Sequence, residues 1–250
     1  MEPERVITPE ETVADYEEFG EHSYSSAQGQ FEFRKGETKI SFEYYKPNLE
    51  DLLTNEKSPF CLQGLDFQTF QIDEQYEPYR KIMNEVRIIN KFILENNNST
   101  LDCCESFGLE GKIYFNINKE MMGDSGINVE EKSVGLADDP LTPNGLLTLV
   151  HEIGHNKNYE ADKEAYHERQ KDIEKFNNIT NYKSINLSEV DEKVAQSVLE
   201  EERGAWATAL NDIRPFIKDL DFKPNKIKEF VHHKSLQMYC TYLRMILNAK

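Results

Sequence analysis

The chain has 250 residues and a formal net charge of -17. That length suits one large domain or two small ones with a substantial core, and the acid excess argues against nucleic acid or an anionic membrane as the main partner. No apolar run is long enough to span a membrane.

The start, Met1-Glu2-Pro3-Glu4, is acidic with no apolar segment behind it, so no signal peptide is expected. Cys61, Cys103, Cys104 and Cys240 have no metal-clip spacing and read as free thiols of a reducing compartment. Both features fit a cytoplasmic protein, and equally an effector exported by a route without a cleaved signal.

Residues 1–28 are polar and acidic and read as a flexible segment, or as a lid over a cleft. Residues 29–76 form a hairpin followed by an irregular region. Phe31 and Phe33 alternate on one strand, Ile40, Phe42 and Tyr44 on the next, around a turn at Lys35-Gly36-Glu37. Leu65, Phe67, Phe70 and Ile72 fit a short strand or turn on the core. Residues 77–250 are expected to form the main domain. Tyr79, Ile82, Met83, Val86, Ile89, Phe92 and Ile93 recur at three and four, which predicts one helix over 77–95. Residues 112–117 and a segment within 127–137 predict two strands around a turn at 122–126. The second ends Ser133-Val134-Gly135-Leu136-Ala137.

The chemistry-bearing pattern follows at once: Thr148-Leu149-Val150-His151-Glu152-Ile153-Gly154-His155. Leu146, Leu147, Leu149, Val150 and Ile153 make an apolar stripe over a helix spanning 146–155, with Asn144 as N-cap behind Pro143. His151 and His155 lie one turn apart on one face, so both imidazoles can reach one metal ion. Nitrogen ligands of this kind suit zinc. Glu152 stands beside the metal and can act as general base toward a metal-activated water. Ile153 and Gly154 are uncharged, and a glycine there fits a place where another backbone or a substrate passes close. The same letters also fit a buried helix with two core histidines.

Charged residues from Glu160 to Asp172 extend this helix as a solvated stretch to about Phe176. His167 would then lie about 18 Å beyond His155 at 1.5 Å per residue, too far to share the metal. A second helix is expected over 187–213, capped by Ser188 with Asp191 and closed near Pro215. Its buried line runs through Val190, Val194, Val198, Ala205 and Ala209, and Glu202 falls on it. A core-facing carboxylate needs a partner, and a metal would be one. Glu201 is the second choice for that role and Glu200 the third. A solvated acidic face accounts for the same run. A last apolar helix is expected over 225–248, where His232, His233, Tyr239 and Tyr242 are candidate donors to a transition state.

The motif segment resembles the active-site helix of the zincin metallopeptidases, with Thr148 and Leu149 before the first histidine and the uncharged Asn156 after the second. It departs at Lys157, where those families usually carry an apolar residue, as if the helix surfaced early. Asn158 and Ala161 replace the glycine and histidine of a metzincin. Glu202-Arg203-Gly204-Ala205 is similar to the ligand helix of gluzincins, although Trp206 replaces their usual polar residue.

The likeness covers the two motif helices. It implies an α+β zincin-like fold, a small sheet packed against the motif helix and several others. It implies Zn2+ held by His151, His155 and Glu202, and hydrolysis of peptide bonds inside a protein or peptide substrate. It also implies that the strand before the motif helix is an edge that holds extended substrate; an internal strand fits the same pattern. A zinc-stabilised binding protein with a closed site is the alternative. There Asp162, His167 or a C-terminal histidine would supply a fourth ligand. A metal-free helical scaffold for a basic partner is the third class.

Overall fold

The computed structural model describes residues 19–56, 58, 60–105, 113–117, 125–130, 132–180, 192–220, 222–236, 240 and 244. The architecture is α+β. Seven strands form one sheet: β1 (Gln28–Lys35), β2 (Thr38–Tyr45), β3 (Val86–Glu95), β4 (Thr100–Asp102), β5 (Ile113–Asn116), β6 (Gly126–Asn128) and β7 (Ser133–Leu136). Their order is β1-β2-β3-β5-β7-β6, with β4 also paired to β3. All pairs are antiparallel except β5 with β7. Among the described residues no helix is long and apolar enough to cross a membrane.

The hairpin forms as its alternation requires. Phe31 pairs with Phe42 and Phe33 with Ile40, and the turn is made at Gly36, whose φ of +62° suits glycine. It joins β3 directly, so the sheet runs from residue 28 into the main domain. The irregular stretch after it holds three short helices, α1 (Leu49–Thr54), α2 (Phe67–Ile72) and α3 (Glu77–Asn84). Phe70 is buried, but Ile72 is 81% exposed, and residues 67–72 are helical rather than strand.

The single helix expected over 77–95 is instead α3 followed by β3. The reason lies in the packing. Val86, Ile88 and Tyr114 join Leu52, Leu53, Phe70 and Met83 in a cluster with α1–α3. Ile89, Phe92 and Leu94 join the larger core on the other side. The first half of the strand, Val86–Ile89, is buried on both faces and so loses its alternation, which returns only after Asn90. The β-branched residues Val86, Ile88, Ile89 and Ile93 favour the extended state.

Three longer helices follow: α4 (Pro143–Ala161), α5 (Lys163–Thr180) and α6 (Glu192–Ile213). The cap of α4 is Thr142, not Asn144. Its hydroxyl accepts from the Gly145 amide at 3.1 Å, and Pro143 occupies the first turn. Nor does α4 run on to 176. Asp162 leaves helical geometry at φ -154°, ψ 87° and its carboxylate accepts from the Ala165 amide at 3.0 Å, starting α5. Then α7 (Pro224–Val231) is followed by a π turn at His232–Leu236. Most of the expected last helix beyond it, with Tyr239 and Tyr242, lies outside the described residues, as do Ser188, Val190, Asp191, residues 121–124 and residues 1–18.

The strand Ser133–Leu136 is internal, between β5 and β6. The outermost described strand at that end is β6, so the edge lies one strand further out than expected. Residues 19–27 do not cross the motif histidines; they strap onto the loop that opens α4. The His22 ring presents Nδ1 to the Gly20 carbonyl at 2.9 Å and Nε2 to Asp139 Oδ2 at 3.1 Å. Both partners are acceptors, so the ring is set between two oxygens. Tyr24 and the Leu141 amide donate to the other oxygen of Asp139. Burial works against the Asp139 charge, but His22 and Tyr24 hold its carboxyl below the usual carboxylate range.

Asp139→Ala is therefore expected to cost about 3–5 kcal/mol, since it takes the shared acceptor from the His22 ring, the Tyr24 hydroxyl and the Leu141 amide at once. Urea unfolding near neutral pH measures this, and a loss under about 1 kcal/mol would refute it. The contribution is full above the unfolded carboxyl value of about 3.9 and is lost as pH falls through the lower folded value.

Candidate metal centre

The motif helix is buried along most of its length. Leu146, Leu147, Leu149, Val150 and Ile153 are fully enclosed and join the core with Trp206, Ala209 and Ile213 of α6. Gly154 decides how near α6 can come. A Cβ built there would lie 2.2 Å from the carbonyl oxygen of Ala205, so only glycine permits this approach. The expected close passage of another backbone is thus present, and that backbone belongs to α6. Lys157 does not surface freely; it pairs with Asp212 of α6 at 2.6 Å and ties the far end of the two helices.

This approach brings His151 and His155 against Glu201 and Glu202. The two Nε2 atoms are 3.2 Å apart. Glu202 places Oε2 3.3 Å from Nε2 of His151 and Oε1 3.6 Å from Nε2 of His155. Ligand atoms at zinc distances from one tetrahedral ion lie about 3.3–3.6 Å from each other, so the spacing fits a shared ion. The protonation pattern fits as well. Nδ1 of His155 faces Oε1 of Glu201 at 3.3 Å, a group that only accepts, so the bond places a proton on Nδ1 and turns Nε2 toward the shared position. Converging lone pairs and a carboxylate need a proton or a cation among them, and one metal ion serves all three. Among the described residues His151, His155 and Glu202 are the group able to do this. Zinc, with nitrogen and oxygen donors, matches the donor set.

Glu201 and Glu202 have separate tasks. Glu201 is the more deeply buried, at 2%. One oxygen meets His155 and the other accepts from Nε of Arg169 at 2.5 Å. Glu202 keeps 16% of its side chain exposed and faces both ring nitrogens. Burial opposes the charge of each glutamate, but His155 and Arg169 beside Glu201, and His151 and His155 beside Glu202, hold both carboxyls below their ordinary value. Burial also opposes the charge on His155, yet the bond to Glu201 and the carboxylates of Glu202 and Glu152 raise it. Glu200 is exposed.

Glu152, 6% exposed, is pushed up by burial, against the pull of the two histidines. A raised carboxyl suits a group that must take up and release a proton. His151 is held differently from His155. Its ring stacks on Trp206 with centroids 4.3 Å apart and planes at 17°. Its Nδ1, like Nε1 of Trp206, has no hydrogen-bond partner among the described residues.

Two residues and one role escaped the sequence reading: Arg169, Tyr166 and the orienting part played by Glu201, which was expected only as a second-choice ligand. Tyr166 and Arg169 are three apart on α5, hence on one face. Tyr166 is 6% exposed and packs with Tyr159 and Val129, against Ile127 of β6. Burial, with the carboxylates of Glu201, Glu152 and Glu202, raises its phenol well above the ordinary value, so it remains a donor. The available signal was Asp162, an N-cap residue type before an acidic first turn. The expected alternative ligands do not join the site. Asp162 caps α5, and His167 is exposed and packs on the Tyr159 ring at 5.6 Å. His232 is exposed, and His232 and His233 lie edge to face with each other in the π turn.

No family model, curated protein or solved structure matches the chain, so the site is read from its own geometry.

Gly154→Ala should push α6 away from α4. The expected cost is about 1–3 kcal/mol of stability from overpacking, together with loss of metal binding. Urea unfolding and a zinc titration measure the two effects. Unchanged binding would show that the approach at Ala205 does not set the site.

Proposed function

We propose that the protein is a zinc-dependent metalloendopeptidase of zincin-like, gluzincin type. The observation that carries this reading is the convergence of two histidine Nε2 atoms and a Glu202 carboxylate at 3.2–3.6 Å, with the buried Glu152 one residue from the first histidine. His151, His155 and Glu202 would hold the ion. Zinc, when bound, supplies a Lewis acid that polarises a carbonyl and acidifies water. No fourth His, Cys, Asp or Glu among the described residues completes the group, which favours an open position over a closed structural site.

The remaining work falls to the chain. Glu152, its carboxyl raised by burial, takes a proton from the attacking water as oxygen bonds to the peptide carbon. It returns that proton to the departing nitrogen as the carbon–nitrogen bond breaks. Among the described residues β6 is the outermost strand at this end of the sheet, and its Ile127 packs against Tyr166. Free backbone groups on such an edge pair with an extended peptide. Among the described residues Arg169, the cation at this centre, is taken up by Glu201 rather than free for a terminal carboxylate, which favours cleavage within a chain.

Elemental analysis after dialysis is expected to find near one zinc per wild-type chain and a strong loss in Glu202→Ala. Glu152→Gln should keep the metal and lose activity on a denatured protein substrate by about 10²–10⁴-fold. A wild type that takes up no zinc even after reloading would end this reading.

A further inference from the structure

Glu201 and Glu202 are neighbours on α6, about 100° apart around the helix axis, and both turn toward α4. Within α6 nothing separates a ligand from a holder. Burial even favours Glu201, whose side chain is 1% exposed against 16% for Glu202. The difference comes from α5. Because the chain breaks at Asp162 and α5 packs on α6, Tyr166 is buried against Tyr159 and Arg169 meets Glu201. The guanidinium occupies Oε2 of Glu201, leaving Oε1 for Nδ1 of His155.

Resting on the metal reading above, we infer that Arg169 is a positioning residue that assigns the two glutamates their roles. By holding one oxygen of Glu201 it fixes the other on His155. Glu201 then orients the histidine, and Glu202 is left as the carboxylate for the ion. The physical requirement is plain. A carboxylate buried this deeply must be paired and hydrogen-bonded at both oxygens, and a planar guanidinium directs it where a mobile ammonium would not. Without Arg169, Glu201 can rotate toward the ligand atoms and compete with Glu202. His151 has no such chain behind it, since its ring rests on Trp206. The site is therefore held on the His155 side by a relay through three helices, α4, α6 and α5.

The test uses the full chain and reads zinc affinity by chelator competition for wild type, R169M, E201Q and R169M/E201Q. Each single variant is expected to lose about 10–100-fold in affinity. The double variant should lose no more than about twofold beyond the weaker single, because both act through one chain of contacts. R169K, which keeps the charge without the planar N–H, should lose only severalfold. The visible spectrum of the Co2+-loaded R169M protein should differ from wild type, as a freed Glu201 changes the ligand set; a merely structural role would leave it alone.

R169M binding zinc as tightly as wild type, or losses that multiply in the double variant, would overturn the relay. Urea unfolding of each metal-free protein checks integrity. If R169M does not fold, R169K takes its place. A severalfold loss that vanishes in the E201Q background supports the relay, and unchanged affinity overturns it. A wild type without zinc removes the metal reading and the relay together; a zinc-binding wild type with an indifferent R169M removes the relay alone.

Discussion

Two helices far apart in sequence touch backbone to backbone where Gly154 of α4 faces the carbonyl of Ala205 in α6. Everything in the site follows from that contact. Side chains on facing helices reach each other's ligand atoms only when the axes come this close. One turn from the contact His151 and His155 look across at Glu201 and Glu202. The small residues Gly204, Ala205 and Ala209 keep the approach open on the α6 side, and Lys157 with Asp212 fastens it further along.

Placing so much charge in a core is costly unless each group is paired. Glu201 has His155 and Arg169; Glu202 has the two imidazoles; Glu152 has burial and raised basicity. The two histidines are supported unequally, one by an ionic chain and one by an aromatic stack. A stacked ring is free to slide in its plane, whereas a hydrogen-bonded ring is fixed in tautomer and direction. Trp206 thus supports the first histidine by its face.

The sheet serves as platform. The small helices α1–α3 cover one face and α4 with α6 the other, so the first half of β3, Val86–Ile89, is enclosed on both sides. At its far end the outermost described strand, β6, packs against Tyr166 through Ile127. The same phenol anchors α5, so the helix that brings Arg169 is seated by a residue that also borders the edge strand. Burial pushes the thiol of Cys104 up to about 12 and that of Cys103 well above its ordinary range, so neither offers a competing nucleophile.

Local pattern alone determined the hairpin at Phe31–Phe42, the motif helix with its paired histidines, and the buried line of α6 through Val198, Ala205 and Ala209. Each rests on a period that a single element imposes on its own side chains. It also marked Gly154 as a close approach, because glycine inside a helix is costly without one. Only the tertiary structure decided the rest. β3 read as helix because neighbours on both faces of its first half erased the alternation there. The break at Asp162 read as continuous helix because charged residues flank it on both sides. Glu201 and Glu202 satisfy the same periodicity, and their difference lies in Arg169, which arrives from another helix. A partner set by the packing of three helices leaves no trace in the spacing of any one of them.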